Sequence, residues 1–130
     1  MKNVNVYVVS SCNNISKIGK YKAIIMYNNR YKVIEKKNIS DTTSNRLILL
    51  GIIDCINLLK EPCHVTIYTK GSWGLREILN DDKGYSSSIS NTAVNYDLKS
   101  KLLTLCKSSG HKINGILDAD EVNYTVINCI

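Results

Sequence analysis

Five cysteines and two histidines are the residues of this 130-residue chain best suited to nucleophilic or zinc chemistry. Their spacing supports neither. Cys12, Cys55, Cys63, Cys106 and Cys129 form no C-x-x-C pair, and His64 and His111 complete no zinc pattern. A Cys106/His111 nucleophile pair rests on residue types alone. The thiols are expected to be reduced and buried, as in a cytosolic protein. Carboxylates gather at Asp118-Ala-Asp-Glu121, where they favour the positive end of a short terminal helix. Asp41-Thr-Thr-Ser44 supplies helix-capping chemistry ahead of an apolar run. Lys70 closes the strand-like run His64 to Thr69. An ammonium there repels a metal ion and offers it no lone pair, although it can meet a phosphate as a point charge.

One domain with a single substantial core fits this length. The net charge is +6 and the pI is near 9.1. Lys17, Lys20, Lys22, Arg30, Lys32, Lys36 and Lys37 fall in one early segment. Such a cluster either meets a polyanion, nucleic acid being the commonest, or keeps the surface soluble. The apolar stretch Leu47 to Ile53 is closed by Asp54 and is too short to span a bilayer. The first residues lack the apolar middle of a signal peptide, so the expected address is the cytoplasm, without a membrane partner.

These residues must be positioned by an alternation of strands and helices. Val4 to Ser10, Tyr21 to Tyr27 and Arg30 to Glu35 read as strands from their β-branched and aromatic content. A polar loop, Ser11 to Gly19, parts the first two, and Asn28-Asn29 suits a tight hairpin between the others. Asn45 to Leu59 reads as a helix apolar around most of its circumference, ended by Lys60-Glu-Pro62. His64 to Thr69 is the fourth strand and Ser72 to Leu79 a short helix. Asn80 to Val94 is expected to be a loop. Asn95 to Lys107 carries Leu98, Leu102, Leu105 and Cys106 at helical spacing, and Gly110 suits its C-cap. Lys112 to Leu117 is the last strand, followed by a terminal helix from Asp118. The order β-β-β-α-β-α-α-β-α implies a mixed sheet with helices on both faces.

Several segments, taken in order, resemble type 1 ribonuclease H. Val6-Tyr-Val-Val-Ser-Ser-Cys12 is similar to that family's first strand, which ends in an aspartate followed by Gly-Ser-Cys. Thr42-Thr-Ser-Asn-Arg46 resembles its Thr-Thr-Asn-Asn-Arg turn before the central helix. Cys63 to Thr69 resembles the fourth strand, Asn95-Tyr-Asp-Leu98 the start of a later helix, and His111-Lys-Ile113 the start of the fifth strand. The resemblance implies an α/β fold with a five-stranded mixed sheet in the order 3-2-1-4-5, spanning residues 1–130 as one domain. It also implies a two-metal site that cuts the RNA strand of an RNA–DNA hybrid.

At that site the chain departs from the family pattern. The family's catalytic carboxylates fall on Val9, Ile48, Lys70 and, near the end, Tyr124 or its neighbour Asn123. Asp118, Asp120 and Glu121 are the carboxylates nearest the fourth position. The resemblance places nucleic-acid contacts on Cys12, on Asn13 or Asn14, and on Thr43, Ser44, Asn45 and Asn95. Trp73 falls where relatives carry an aromatic beside the groove, although a lone tryptophan is more often a core or helix-packing residue. Hydroxyls, amides and helix-start N–H groups suit phosphate and the 2′-hydroxyl, while Thr43, Ser44 and Asn95 would also serve as plain N-caps. Lys70 either pairs with Asp118 or Asp120, or supplies positive charge to a phosphate.

The expectation is therefore a non-enzyme: an inactive ribonuclease H-like protein, without a metal or other cofactor. It would bind RNA, DNA or a hybrid through the former substrate groove. The alternative is a protein-interaction module, such as a phage- or mobile-element-type inhibitor or adaptor acting on a nucleic-acid-processing complex.

Overall fold

The structure, a computed structural model, describes residues 1–70, 75, 78–80, 84–85 and 89–116. Three strands open the chain: β1 (Lys2–Cys12), β2 (Gly19–Tyr27) and β3 (Arg30–Ile39). Helix α1 (Ser44–Asn57), β4 (Cys63–Tyr68), the short strands β5 (Leu79–Asn80) and β6 (Gly84–Tyr85), helix α2 (Tyr96–Ser108) and β7 (Lys112–Ile116) follow. The main sheet has the order β3-β2-β1-β4-β7, with β1–β2 and β2–β3 antiparallel and β1–β4 and β4–β7 parallel. This is the expected 3-2-1-4-5 sheet, with β7 in the fifth place.

Alternation along the strands divides the sheet into two faces. Val4, Val6 and Val8 of β1 point to α1, as do Tyr21 and Ala23 of β2 and Val65 and Ile67 of β4. They share one core with Leu47, Ile48, Ile52 and Ile56 of α1 and with Leu102 and Cys106 of α2. Gly51 allows the close approach of α1: a Cβ there would lie 2.9 Å from Val8 and 3.0 Å from Tyr21. The opposite face carries a smaller cluster of Tyr7, Val9, Ile24, Met26 and Tyr68, in which the rings of Tyr7 and Tyr68 stack at 4.6 Å. The two described helices pack on each other, and the terminal helix expected from Asp118 lies outside the described residues.

Other boundaries differ from expectation. The segment Asn80 to Val94, read as loop, contains part of a two-stranded hairpin in which Leu79 pairs with Tyr85 and Asn80 with Gly84. Leu79 thus belongs to a strand and not to the end of a helix; most of the helix expected over Ser72 to Leu79 lies outside the described residues. β3 runs on to Ile39, past the expected end at Glu35, because its ladder with β2 continues through an irregularity. β1 likewise continues to Cys12, paired with Gly19.

Candidate nucleic-acid interface

The end of β1 and the start of α1 are tied together. Ser10 Oγ donates to the Ser44 carbonyl at 2.8 Å, and the Cys12 thiol donates to the Thr42 carbonyl at 3.4 Å. Thr42 is buried beneath them. Thr43 then caps α1: its backbone is extended, and its Oγ1 accepts from the Arg46 N–H at 3.2 Å. Thr43, Ser44 and Asn45 are exposed at this helix start. The first turn contains no acidic residue to neutralise its positive end.

Arg46 carries the connection to α2. Its guanidinium donates two hydrogen bonds to the Asp97 carboxylate, at 2.8 and 2.6 Å, and a longer one of 3.4 Å to Asn95 Oδ1. The fork geometry of a guanidinium matches a carboxylate, so the two helix starts are held in register. The hydrogen bonds from Arg46 hold the Asp97 carboxyl down to about 2. Asn95 stands in the left-handed region at φ 59° and makes no side-chain capping bond. Its carbonyl oxygen faces Arg46, which leaves its amide N–H groups as donors. Of the three expected caps, Thr43 caps α1 with its side chain, Ser44 is instead the first residue of that helix, and Asn95 holds the N-cap position of α2 without a side-chain capping bond.

The structure therefore brings Cys12, Thr43, Ser44, Asn45 and Asn95 to one end of the molecule. Asn13 lies in the β1–β2 loop beside them, where its Oδ1 accepts from the N–H groups of Ile15 and Ser16 at 2.8 and 3.0 Å. Ser10, Arg46 and Asp97 were not singled out as site residues in the sequence. Arg46 and Asp97 both stand inside the two motifs, but a contact across 51 positions gives no local signal.

Lys70, at the end of β4, is exposed. Its neighbour Thr69 is fully buried, with its backbone N–H on the Ile116 carbonyl and, among the described residues, no hydrogen-bond partner for its hydroxyl. Val9 is half-buried in the Tyr7–Ile24–Tyr68 cluster, whereas Ile48 is only 4% exposed and belongs to the main core on the other face. Magnesium takes oxygen ligands, and these three side chains provide two hydrocarbons and a cation. They do not fit that ion. Among the described residues no group of three or more His, Cys, Asp or Glu could hold a metal. Trp73, Asp118, Asp120, Glu121, Asn123 and Tyr124 lie outside the described residues, so the expected pairing of Lys70 with Asp118 or Asp120 does too.

The Cys106/His111 pair does not form a nucleophile. Cys106 is buried, and burial pushes its thiol up to about 12. His111 Nδ1 instead accepts from the Cys63 backbone N–H at 3.0 Å. Cys55 is likewise buried and pushed up to about 12, mainly by burial. A thiol so far above neutrality holds its proton and stays unreactive.

A mixed five-stranded sheet of this order, with a central helix starting at its first strand, defines a ribonuclease H-type α/β fold. The RNase H family model matches residues 1–116, and the chain belongs to that family. A ribonuclease H of Campylobacter jejuni is 30% identical over 116 residues, covering 87% of this chain and 75% of the relative. One from Acetivibrio thermocellus is 30% identical over 122 residues, covering 89% of this chain and 81% of the relative. Among solved structures, LC9-RNase H1, described as a type 1 RNase H with the type 2 active-site motif, superposes with a TM-score of 0.59 at 14% identity. That match covers 99% of this chain and 70% of the other.

These relatives correct the expectation of a non-enzyme. The residues at Val9, Ile48 and Lys70 led to that expectation, but the family model and the curated relatives are ribonucleases H by name, and this kinship points to an enzyme. Substitutions at aligned positions say which side chains cannot hold a metal; they do not remove the chain from a family of enzymes. No described helix is long and apolar enough to cross a membrane.

Proposed function

We propose that the chain recognises an RNA–DNA hybrid through the surface formed by Cys12, Asn13, Thr43, Ser44, Asn45 and Asn95. The Arg46 fork carries this reading, because it joins the start of α2 at Asn95 and Asp97 to the start of α1, where Thr43, Ser44 and Asn45 are exposed. Helix-start N–H groups and neutral donors suit phosphate oxygens and the ribose 2′-hydroxyl. The net charge of +6 supplies long-range attraction for a polyanion. Exposed Val94 and Tyr96 flank Asn95 and give sugars an apolar surface.

Lys70 stands at the end of β4 as a point charge for a phosphate, and Trp73 joins the same groove in this reading. Cleavage of the RNA strand is the activity to which kinship points. Carboxylates for it would have to come from outside the described residues, where Asp118, Asp120 and Glu121 lie.

Anisotropy titrations at low salt with a hybrid, duplex RNA, duplex DNA and each single strand test the binding reading. Hybrid is expected to bind most tightly. The pair Thr43→Ala and Asn95→Ala is expected to weaken it by about tenfold or more, from two lost bonds to charged oxygens. Equal binding of all five probes, unchanged by that pair, would remove the reading. Incubating the same hybrid in Mg²⁺ or Mn²⁺ reads cleavage directly, and Asp118→Asn with Asp120→Asn should abolish any that is seen.

A further inference from the structure

A cleft of about 360 Å³ opens beside this surface, lined by Ser11, Asn13, Ile18, Lys20, Lys37 and Asn38, with Gly19 at its floor. Its lining has two lysines and no carboxylate. We propose that this cleft binds the sugar–phosphate backbone of the nucleic acid where it leaves the Thr43–Asn95 surface. The inference rests on the hybrid-binding reading and extends its footprint.

The backbone is shaped for the cleft. Gly19 pairs with Ile39 and Tyr21 with Lys36, so Lys20 alone on β2 faces both Lys37 and Asn38 on β3. That bulge sets exposed Lys20 opposite exposed Lys37 and Asn38, and bulges are common beside binding sites. Three non-glycine residues around it have left-handed backbones: Lys17 at φ 59°, Asn38 at φ 57° and Asp41 at φ 53°. Asn and Asp tolerate this region in turns, so these backbones shape the loops around the cleft. A Cβ at Gly19 would meet the Ser11 carbonyl at 2.6 Å and the buried Leu47 side chain at 2.7 Å, so β2 runs too close to β1 and α1 at this point for any other residue.

The chemistry suits a phosphodiester. Lys20 has no ion pair among the described residues. Lys37 lies 3.3 Å from Glu35 with 60% of its side chain exposed, a contact that a phosphate can displace. Asn13 spends its oxygen on Ile15 and Ser16 and can offer only its amide N–H groups. Continuity with the main surface is direct: the Thr42 N–H donates to the Lys17 carbonyl at 3.0 Å, and the Cys12 thiol donates to the Thr42 carbonyl. The cleft therefore adjoins the residue that precedes the Thr43 cap.

The test is the salt dependence of hybrid binding by the wild type, by Lys20→Ala/Lys37→Ala and by the control Arg30→Ala/Lys32→Ala. The control cations lie at the other end of β3 and have no ion pair among the described residues. Two lost phosphate contacts should lower the slope of log K against log salt by about 1.5 and weaken binding about tenfold at low salt. The control should leave the slope within about 0.3 of the wild type on the same scale. A wild-type slope kept by the Lys20/Lys37 variant, with hybrid still bound, overturns the cleft alone. Failure of the wild type to bind hybrid overturns the cleft together with the reading on which it rests. Melting curves of both variants confirm that each is folded before its slope is compared.

Discussion

Two neighbouring parts of this molecule treat their family pattern differently. At the starts of α1 and α2 the polar groups are in place: Thr43 caps, Arg46 forks onto Asp97, and Asn95 stands beside them. At the ends of β1 and β4 and along the buried side of α1, the aligned positions hold Val9, Lys70 and Ile48. Backbone recognition needs hydroxyls, amides and N–H groups, which many residues supply and which also serve as caps. Metal binding needs several carboxylates converging on one point, a set that single substitutions dismantle. Family membership is therefore legible from the first region and from the fold, while the reaction depends on residues of a different kind.

The largest expected effect breaks or confirms the claim that Ile48 is core. Ile48→Glu places a carboxylate at a position 4% exposed among Leu47, Ile52 and Val8. Denaturant melts should show a loss of about 3 kcal/mol or more, from lost packing and a buried charge. A loss under about 1 kcal/mol would mean that the position opens readily to a carboxylate, and the contrast between the regions would collapse.

Arg46→Ala sharpens the other side of the comparison. It frees α2 from α1 at the surface, and hybrid affinity should fall by about tenfold while the melting temperature moves little, since an exposed pair adds little stability. A large drop in melting temperature with unchanged affinity would make Arg46 a structural clamp only.

A smaller effect comes from the far end of the core. His111 accepts a hydrogen bond from the Cys63 N–H through Nδ1, and burial lowers its pKa. The folded state therefore favours neutral imidazole. Stability from this group is full above the ordinary value of 6.5 and declines as pH falls below it. Melting curves from pH 7.5 to 5 should decline in the wild type and flatten in His111→Ala.

The smallest effect is at Asp97. With its carboxyl held to about 2, chiefly by Arg46, the contribution is present above the ordinary 3.8 and lost as pH falls through about 2. In an NMR titration of its side-chain carboxyl, Arg46→Ala should move the midpoint up toward 3.8.

How far the sequence carried this picture follows from the range of each signal. The sheet order and α1 were legible because Thr42-Thr-Ser-Asn-Arg46 precedes a long apolar run and the strands carry β-branched alternation. The β5–β6 hairpin was not, because two-residue strands in a segment rich in serine and aspartate have no period to detect. Thr43 was legible as a cap from its own type. Asn95 looked like a second cap, and only the fold shows its oxygen turned to an arginine on another helix. The bulge at Lys20 was hidden for the same reason, since register between β2 and β3 is a property of the pair.

The most direct test of the central claim is an amide NMR map of the ¹⁵N-labelled chain titrated with a short RNA–DNA hybrid. Binding through the proposed surface predicts the largest shifts at Cys12, Asn13, Thr43 to Arg46 and Asn95 to Asp97, with little change at His111 and the Pro62 end. Shifts concentrated away from those residues, or none at low salt, would contradict it.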